Sequence, residues 1–185
     1  MGIKDLIVTS HNEKIKNIIK DRSKRLKGLQ RALARCKAGS KNRYKIKLKI
    51  QRLWQKIRNA RKHLIHDITN KLIKENDIIV CENLDIKSMY KDHNIAKSLN
   101  SNPLGEIIRV LKYKAEWNNK KLIQIDRYYP SSQVCSVCEF QNRELKNFST
   151  RKYECAMCHT KHDRDFNASV NIMFEGLKIY MQDLT

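Results

Sequence analysis

The spacing of apolar residues changes along the chain, and each change marks an element. Leu6-Ile7-Val8-Thr9-Ser10 is a short β-branched run closed by the polar turn His11-Asn12-Glu13, and Lys14 to Ile19 alternates as a returning hairpin strand would. From Arg22 the period becomes helical, with Leu26, Leu29, Leu33 and Cys36 on one side. Gly39-Ser40 predicts a helix stop followed by an N-cap. Ile46, Ile50, Leu53, Ile57, Ala60, Leu64, Ile68 and Leu72 then carry the same spacing over many turns, which predicts a long helical hairpin with a thin apolar seam. Asp77 to Cys81 is a continuous apolar run of the kind found in buried parallel strands, and Glu82 stands at its tip. Lys91 to Asn102 reads as a polar loop. Leu104 to Trp117 predicts an amphipathic helix with Ile107, Ile108, Leu111, Ala115 and Trp117 facing a core and Arg109, Lys112 and Lys114 in solvent. Leu122 to Ile125 predicts the next strand, ended by Asp126. A last helix is predicted over Phe166 to Phe174, with Val170, Ile172 and Met173 apolar, and a patternless tail follows from Leu177.

Charge sharpens this picture. The formal net charge is +20, from 39 Lys and Arg against 19 Asp and Glu. Residues 14–74 hold 22 of those bases and two acids, Asp21 and Asp67, so the whole excess lies in this one segment, most of it the predicted helical hairpin. A solvated helix face normally mixes signs for i,i+4 pairing. One of a single sign is the footprint of a polyanion, most simply nucleic acid. Lys45, Lys49, Arg52 and Lys56 are the expected phosphate contacts. The segment lacks the bulky aromatic face of a helix lying in a membrane surface. The chain shows no apolar run of eighteen residues and no leader pattern, so the expectation is a soluble, cytoplasmic protein with no membrane partner.

The cysteines carry the strongest chemical signal. Cys135-Ser-Val-Cys138 and Cys155-Ala-Met-Cys158 are two C-x2-C knuckles separated by sixteen residues, a zinc-ribbon spacing. Four thiolates close a tetrahedron round one Zn²⁺ and leave no open position, so the metal is expected to be structural. His159 and His162 lie close enough to compete, but four cysteines already saturate the ion. Cys36 and Cys81 sit inside apolar patterns and read as small buried hydrophobes. Asp163 and Asp165 fall at the start of the last helix, where a carboxylate can accept from free N–H groups; read alone, Asp165 is an N-cap. Glu82, read alone, marks a strand's exit to solvent, although open α/β sheets place their sites at such tips.

Taken in order, these stretches resemble the C-terminal half of the TnpB family, the transposon-encoded, OrfB-type proteins ancestral to type V CRISPR effectors. The matching pieces are Ile79 to Leu84, Leu111 to Ala115, the approach Tyr129-Pro130-Ser131-Ser132, the four cysteines, and His162-Asp163-Arg164-Asp165-Phe166-Asn167-Ala168. The chain departs from the family at Glu139 and His159, where Gly often succeeds the second cysteine of each knuckle and supplies an easy positive φ. The resemblance implies an α/β, RNase H-like (RuvC) nuclease fold interrupted by a helical-hairpin insertion and a zinc ribbon. The expected boundaries are 1–19 and 76–130 for RuvC-like strands and helix, 20–75 for the basic hairpin, 131–162 for the ribbon and 163–185 for the closing helix and tail. It further implies a guide RNA, a DNA target, a role in transposition, and three acids holding catalytic Mg²⁺.

Carried over residue by residue, the second of those acids falls on Glu82 and the third on Asp165. The first lies, in the family, in a strand of the form Gly-Ile-Asp-x-Gly, and this chain opens on sequence resembling the stretch just after that acid. Asp5 comes several residues late and is not assigned to the role. The expectation is therefore a RuvC-like fold lacking its first strand, between the Leu6 to Ser10 and Asp77 to Glu82 strands: a fragment of an RNA-guided DNA endonuclease, inactive alone. The alternatives are a nuclease-dead, zinc-stapled nucleic-acid-binding protein and a free-standing zinc-ribbon adaptor, the last of which would need neither Glu82 nor the strands.

Overall fold

In the computed structural model, which describes residues 5–17, 22–91, 96, 102–143 and 150–184, helices and short strands alternate. The chain divides into two compact units, Met1–Asn17 with Lys71–Thr185, and Ile18–Asn70. Most of the predicted loop between Lys91 and Asn102, and the end of the predicted second strand, lie outside the described residues. Among the described residues no helix is long and apolar enough to cross a membrane.

The second unit contains α1, Ser23–Arg35, and most of α2, Lys41–Glu75, whose last residues belong to the first unit. Leu26, Leu29, Leu33 and Cys36 are half-buried, and α1 has no fully buried residue. The turn forms as expected. Gly39 takes a φ of 74°, and the Ser40 hydroxyl accepts from the Arg43 amide at 3.2 Å. Arg43 adds a contact the apolar pattern could not reveal. Its Nη1 donates to the carbonyls of Leu33 at 3.0 Å and Cys36 at 3.4 Å, satisfying acceptors at the open end of α1.

Among the described residues, the first unit holds three two-stranded sheets. β1, Ile7–Val8, and β2, Lys14–Ile15, form an antiparallel hairpin whose turn places Asn12 at φ 62°. β3, Ile78–Glu82, pairs in parallel with β4, Lys121–Ile125, as the unbroken apolar run predicts, with Val80 opposite Ile123 and Glu82 opposite Ile125. β5, Lys152–Glu154, and β6, Lys161–Asp163, belong to the ribbon. Among the described residues the unit also contains α3, Ile86–Met89, α4, Leu104–Trp117, and α5, Arg164–Gln182. The core gathers Leu6, Leu104, Ile107, Val110, Leu111, Ala115 and Ile125.

Three expectations need correction. Trp117 is 79% exposed instead of facing the core, because it is the last residue of α4 and its ring leans on Tyr113 at 4.8 Å. Lys114 is buried instead of solvated. It follows Val110 by four residues and Ile107 by seven, so its stem lies on the apolar stripe. The last helix runs on to Gln182, through most of the supposed tail.

Gly176 of α5 explains how closely this helix packs on β3. A Cβ there would stand 2.2 and 2.4 Å from the two methyls of Val80. Only a residue without a side chain lets the helix approach the strand so closely.

Candidate metal centre and nuclease site

Each zinc knuckle is built by a local turn. The Cys135 amide donates to the Phe140 carbonyl and the Glu139 amide to the Cys135 carbonyl, both at 2.9 Å. The second knuckle repeats this pattern, Cys155 to Thr160 and His159 to Cys155, at the same distances. The turns require a left-handed residue after each second cysteine. Glu139 takes φ 60° and His159 φ 54°, so the missing glycines do not prevent the turn and leave both residues in an unfavourable backbone region.

The four sulfurs converge, all within 4.8 Å of one another. Cys135 and Cys158 are 3.7 Å apart, Cys138 and Cys155 3.6 Å. A tetrahedron with Zn–S bonds of about 2.3 Å has edges of about 3.8 Å, so the cage matches the ion. Its electrostatics also call for a cation. The Thr160 hydroxyl and backbone N–H draw the Cys158 thiol down to about 6. Cys138, although the Phe140 backbone lowers it, is pushed up to about 12 by burial and by its neighbouring thiols. Four sulfurs this close do not all shed protons without a positive ion between them. The cluster is therefore of the kind that holds a structural zinc.

The histidines stand aside from this set. His162 is buried, with Nε2 3.1 Å from the Cys135 sulfur and its ring 5.2 Å from that of Tyr153. Burial lowers its pKa, which disfavours the charged form in a group lying against a ligand. His159 turns outward to Glu154, at 3.2 Å.

Two asparagines that the sequence reading did not single out for a structural role tie the ribbon to α5. The Asn167 side chain accepts from the Ser136 amide at 2.9 Å and donates to the Val134 carbonyl at 2.7 Å. Asn171 donates to the carbonyls of Ser131 at 2.8 Å and Val134 at 2.7 Å. Both are almost fully buried. Their i,i+4 spacing on an otherwise apolar helix face was the available signal, since polar groups on a buried face require partners.

The carboxylates are arranged differently from the simplest reading. Asp163, and not Asp165, is the N-cap of α5: its Oδ1 accepts from the amides of Asp165 at 3.1 Å and Phe166 at 3.2 Å. Its other oxygen meets Lys14 of the hairpin at 2.6 Å. Burial pushes the Asp163 carboxyl up, but the Lys14 bond and the two amides outweigh it and hold it below the usual range. Asp165 lies in the first turn of α5 and pairs with Arg151 at 2.7 Å. Glu82 ends β3 and lines a cavity of about 360 Å³. Asp5 is near enough to Lys14 to reinforce its charge. Among the described residues the four cysteines are the only group of three or more candidate metal ligands. Among those residues Glu82, Asp165 and Asp5 belong to no second group of this kind.

In the second unit, Lys45, Lys49, Arg52 and Lys56 are all exposed on α2. Steps of four, three and four residues bring them onto one helix face, and the half-buried Ile46, Ile50 and Ile57 with buried Leu53 mark another.

Known proteins share this arrangement of parts. The OrfB_IS605 family, described as "Probable transposase", matches residues 1–93. The "Cas12f1-like, TNB domain" family matches residues 105–172. A "Putative RNA-guided DNA endonuclease" of Streptomyces pristinaespiralis is 34% identical over 178 residues, 95% of this chain and 44% of that protein. The "Putative RNA-guided DNA endonuclease InsQ" of Escherichia coli K12 is 33% identical over 175 residues, 86% of this chain and 43% of its own length. This chain thus spans less than half the length of these relatives. Among solved structures, a chain of the Cas12f1–sgRNA–target DNA complex superposes with a TM-score of 0.57 at 20% identity, covering 86% of this chain and 43% of that one. The likeness extends to the fold.

Proposed function

The chain belongs to the TnpB/OrfB family, and from that premise we propose that it is the C-terminal part of a transposon-associated, RNA-guided DNA endonuclease that does not cut DNA alone. The observation that carries this reading is an order of parts: an acid at the tip of a parallel strand, a basic helical unit before it, a four-cysteine ribbon after it, and a second acid in the first turn of the helix bonded to that ribbon. Glu82 and Asp165 are the residues assigned to the nuclease centre. The four cysteines hold one structural Zn²⁺, and the Asn167 and Asn171 bonds transmit its rigidity to the helix that carries Asp165. DNA and guide RNA are the expected partners, by analogy with the relative solved with both. The Lys45, Lys49, Arg52 and Lys56 face would meet their phosphates. Contacts of that kind orient a polyanion without reading its sequence.

Inactivity of the isolated chain follows from its acids. Two carboxylates cannot hold two metal ions at fixed spacing, and in-line attack depends on that spacing. Asp165 is moreover engaged by Arg151, and its neighbour Asp163 by Lys14. The test is a Mg²⁺-dependent cleavage assay on single- and double-stranded DNA, with and without RNA from the locus. No cleavage is expected. Cleavage that disappears in Glu82→Ala would overturn the reading and return Asp5, or another acid, to the site.

The second reading, a nuclease-dead nucleic-acid-binding zinc protein, is favoured by the Arg151–Asp165 pair, which neutralises an acid that metal binding needs. The DNA upstream of Met1 separates the two. In-frame codons for a Gly-Ile-Asp strand favour the nuclease fragment, and a ribosome-binding site at Met1 favours the binding protein.

A further inference from the structure

Two aromatic side chains stand in solvent on the long basic helix. The unit Ile18–Asn70 contains one Tyr, one Trp and no Phe, and Tyr44 is 63% and Trp54 47% exposed. A small helical unit ordinarily places its aromatic rings in its core. Here the buried seam is aliphatic, with Leu53, Leu64, Ile65 and Ile68, and both rings are left outside it. Among the described residues no aromatic ring or cation stacks on either of them.

The two rings belong to one stripe. Tyr44, Lys47, Gln51, Trp54, Arg58 and Lys62 follow one another at steps of three or four residues along α2, and all six are exposed. At about 100° per residue the stripe lies roughly 140° round the helix from the face of Lys45, Lys49, Arg52 and Lys56, across the apolar seam. No acid occurs between Lys41 and His66. Among the described residues Lys47, Arg58 and Lys62 make no ion pair. The two basic faces therefore differ in composition. The first offers charge alone, which suits phosphates. The second interleaves charge with rings, which suits phosphates and open base faces together.

We propose that this second stripe holds an unpaired stretch of RNA, with bases stacked on Tyr44 and Trp54 and phosphates on Lys47, Arg58 and Lys62. The proposal deepens the functional reading above, in which RNA is a partner, and rests on it for that choice of strand. The dimensions agree. The rings are ten residues apart, about 15 Å along the axis, the length of about four stacked nucleotides at about 3.4 Å each. A duplex cannot occupy the rings, because stacking within it closes its base faces; RNA opens them in loops, bulges and ends. Gln51 stands on the stripe between the rings and offers both a donor and an acceptor. A 2′-hydroxyl does the same, so the stripe can meet the one sugar group that DNA lacks.

The probes are a 12-nucleotide oligouridine, the matching oligodeoxyuridine and a 12-base-pair DNA duplex. Each is fluorescein-labelled, titrated into the zinc-loaded 185-residue chain and followed by anisotropy. A Trp117→Phe chain keeps Trp54 as its one tryptophan, so its emission reports stacking directly. Quenching of Trp54 by unlabelled oligouridine is expected, saturating together with the anisotropy. Trp54→Leu and Tyr44→Leu should each weaken the RNA about tenfold at an unchanged salt slope, since a stack is lost and no phosphate contact is. Trp54→Phe should restore most of the affinity, and Arg58→Gln should instead lower the slope by about one. Oligodeoxyuridine should bind several-fold more weakly than oligouridine. Absence of Trp54 quenching overturns the proposal, whatever the leucine variants do. A reduced salt slope in Trp54→Leu overturns it as well, as does an equal loss on the duplex, which would mean a disturbed helix. Equal affinity for oligodeoxyuridine overturns the assignment to RNA. The functional reading fails on a different result, cleavage by the chain alone, which none of these measurements records.

Discussion

Replacing Gly176 by Ala sets two effects of opposite sign against each other. In an open helix interior the change stabilises by about 1 kcal/mol through propensity. Here the new Cβ would lie 2.2 and 2.4 Å from the Val80 methyls and 2.9 Å from the Val80 Cβ, all shorter than real Cβ contacts. Overpacking of this kind costs about 1–3 kcal/mol, and three simultaneous overlaps argue for the upper part of that range. The net expectation is a loss of about 2 kcal/mol, a fall in Tm of about 4–8 °C for a chain of this size. Val80→Ala in the same chain removes the two closest atoms, so the double variant should recover much of the loss, and not all of it, since the 2.9 Å approach remains. The measurement is a double-mutant cycle in urea, with zinc saturating and with circular dichroism and fluorescence midpoints required to coincide. A more stable Gly176→Ala, or additive effects at the two positions, would refute the close approach of α5 to β3. The cavity wall and the placement of Glu82 both depend on that approach.

The metal cage, the carboxylates and the basic face can each be tested in turn. Glu139→Gly and His159→Gly should each raise Tm by about 2 °C, since both residues now hold positive φ without glycine's freedom; a drop in either would mean that the side chain contributes more than its backbone strain costs. Purified protein should contain about one zinc per chain, and Cys155→Ser should lose it, as read by metal analysis; full stoichiometry in the variant would exclude the four-sulfur site. Asp163, held low in the folded chain, is ionised in both states above the unfolded carboxyl range. Its stabilisation is complete there and is lost as the pH falls through its folded value. Asp163→Asn should flatten that acid limb in pH-dependent melting; an unchanged limb would mean that the Lys14 and amide contacts do not hold this carboxylate. Glutamates at Lys45, Lys49, Arg52 and Lys56 should weaken binding to an arbitrary DNA duplex and reduce its salt slope by about one for each phosphate no longer neutralised; unchanged affinity would make this face a solvated surface.

What could be read along the chain was whatever depends on neighbours a few residues apart. The zinc cage was legible because two turns of C-x2-C carry their own geometry, and even the departures at Glu139 and His159 leave that geometry intact. The stop and cap at Gly39 and Ser40, the parallel strand of unbroken aliphatics at Ile78–Glu82, and the stripe on α2 were legible for the same reason: periodicity is local. The capping role was not. Asp163 and Asp165 are equally good candidates by residue type, and the choice was made by Lys14, 149 residues away, and by Arg151, which draws Asp165 outward. Nor could the apolar pattern show that Trp117 would stand in solvent at a helix end, or that Asn167 and Asn171 would bind the ribbon to α5. Periodicity states which face of an element is apolar. Which neighbour covers that face is settled when distant segments compete for the same volume.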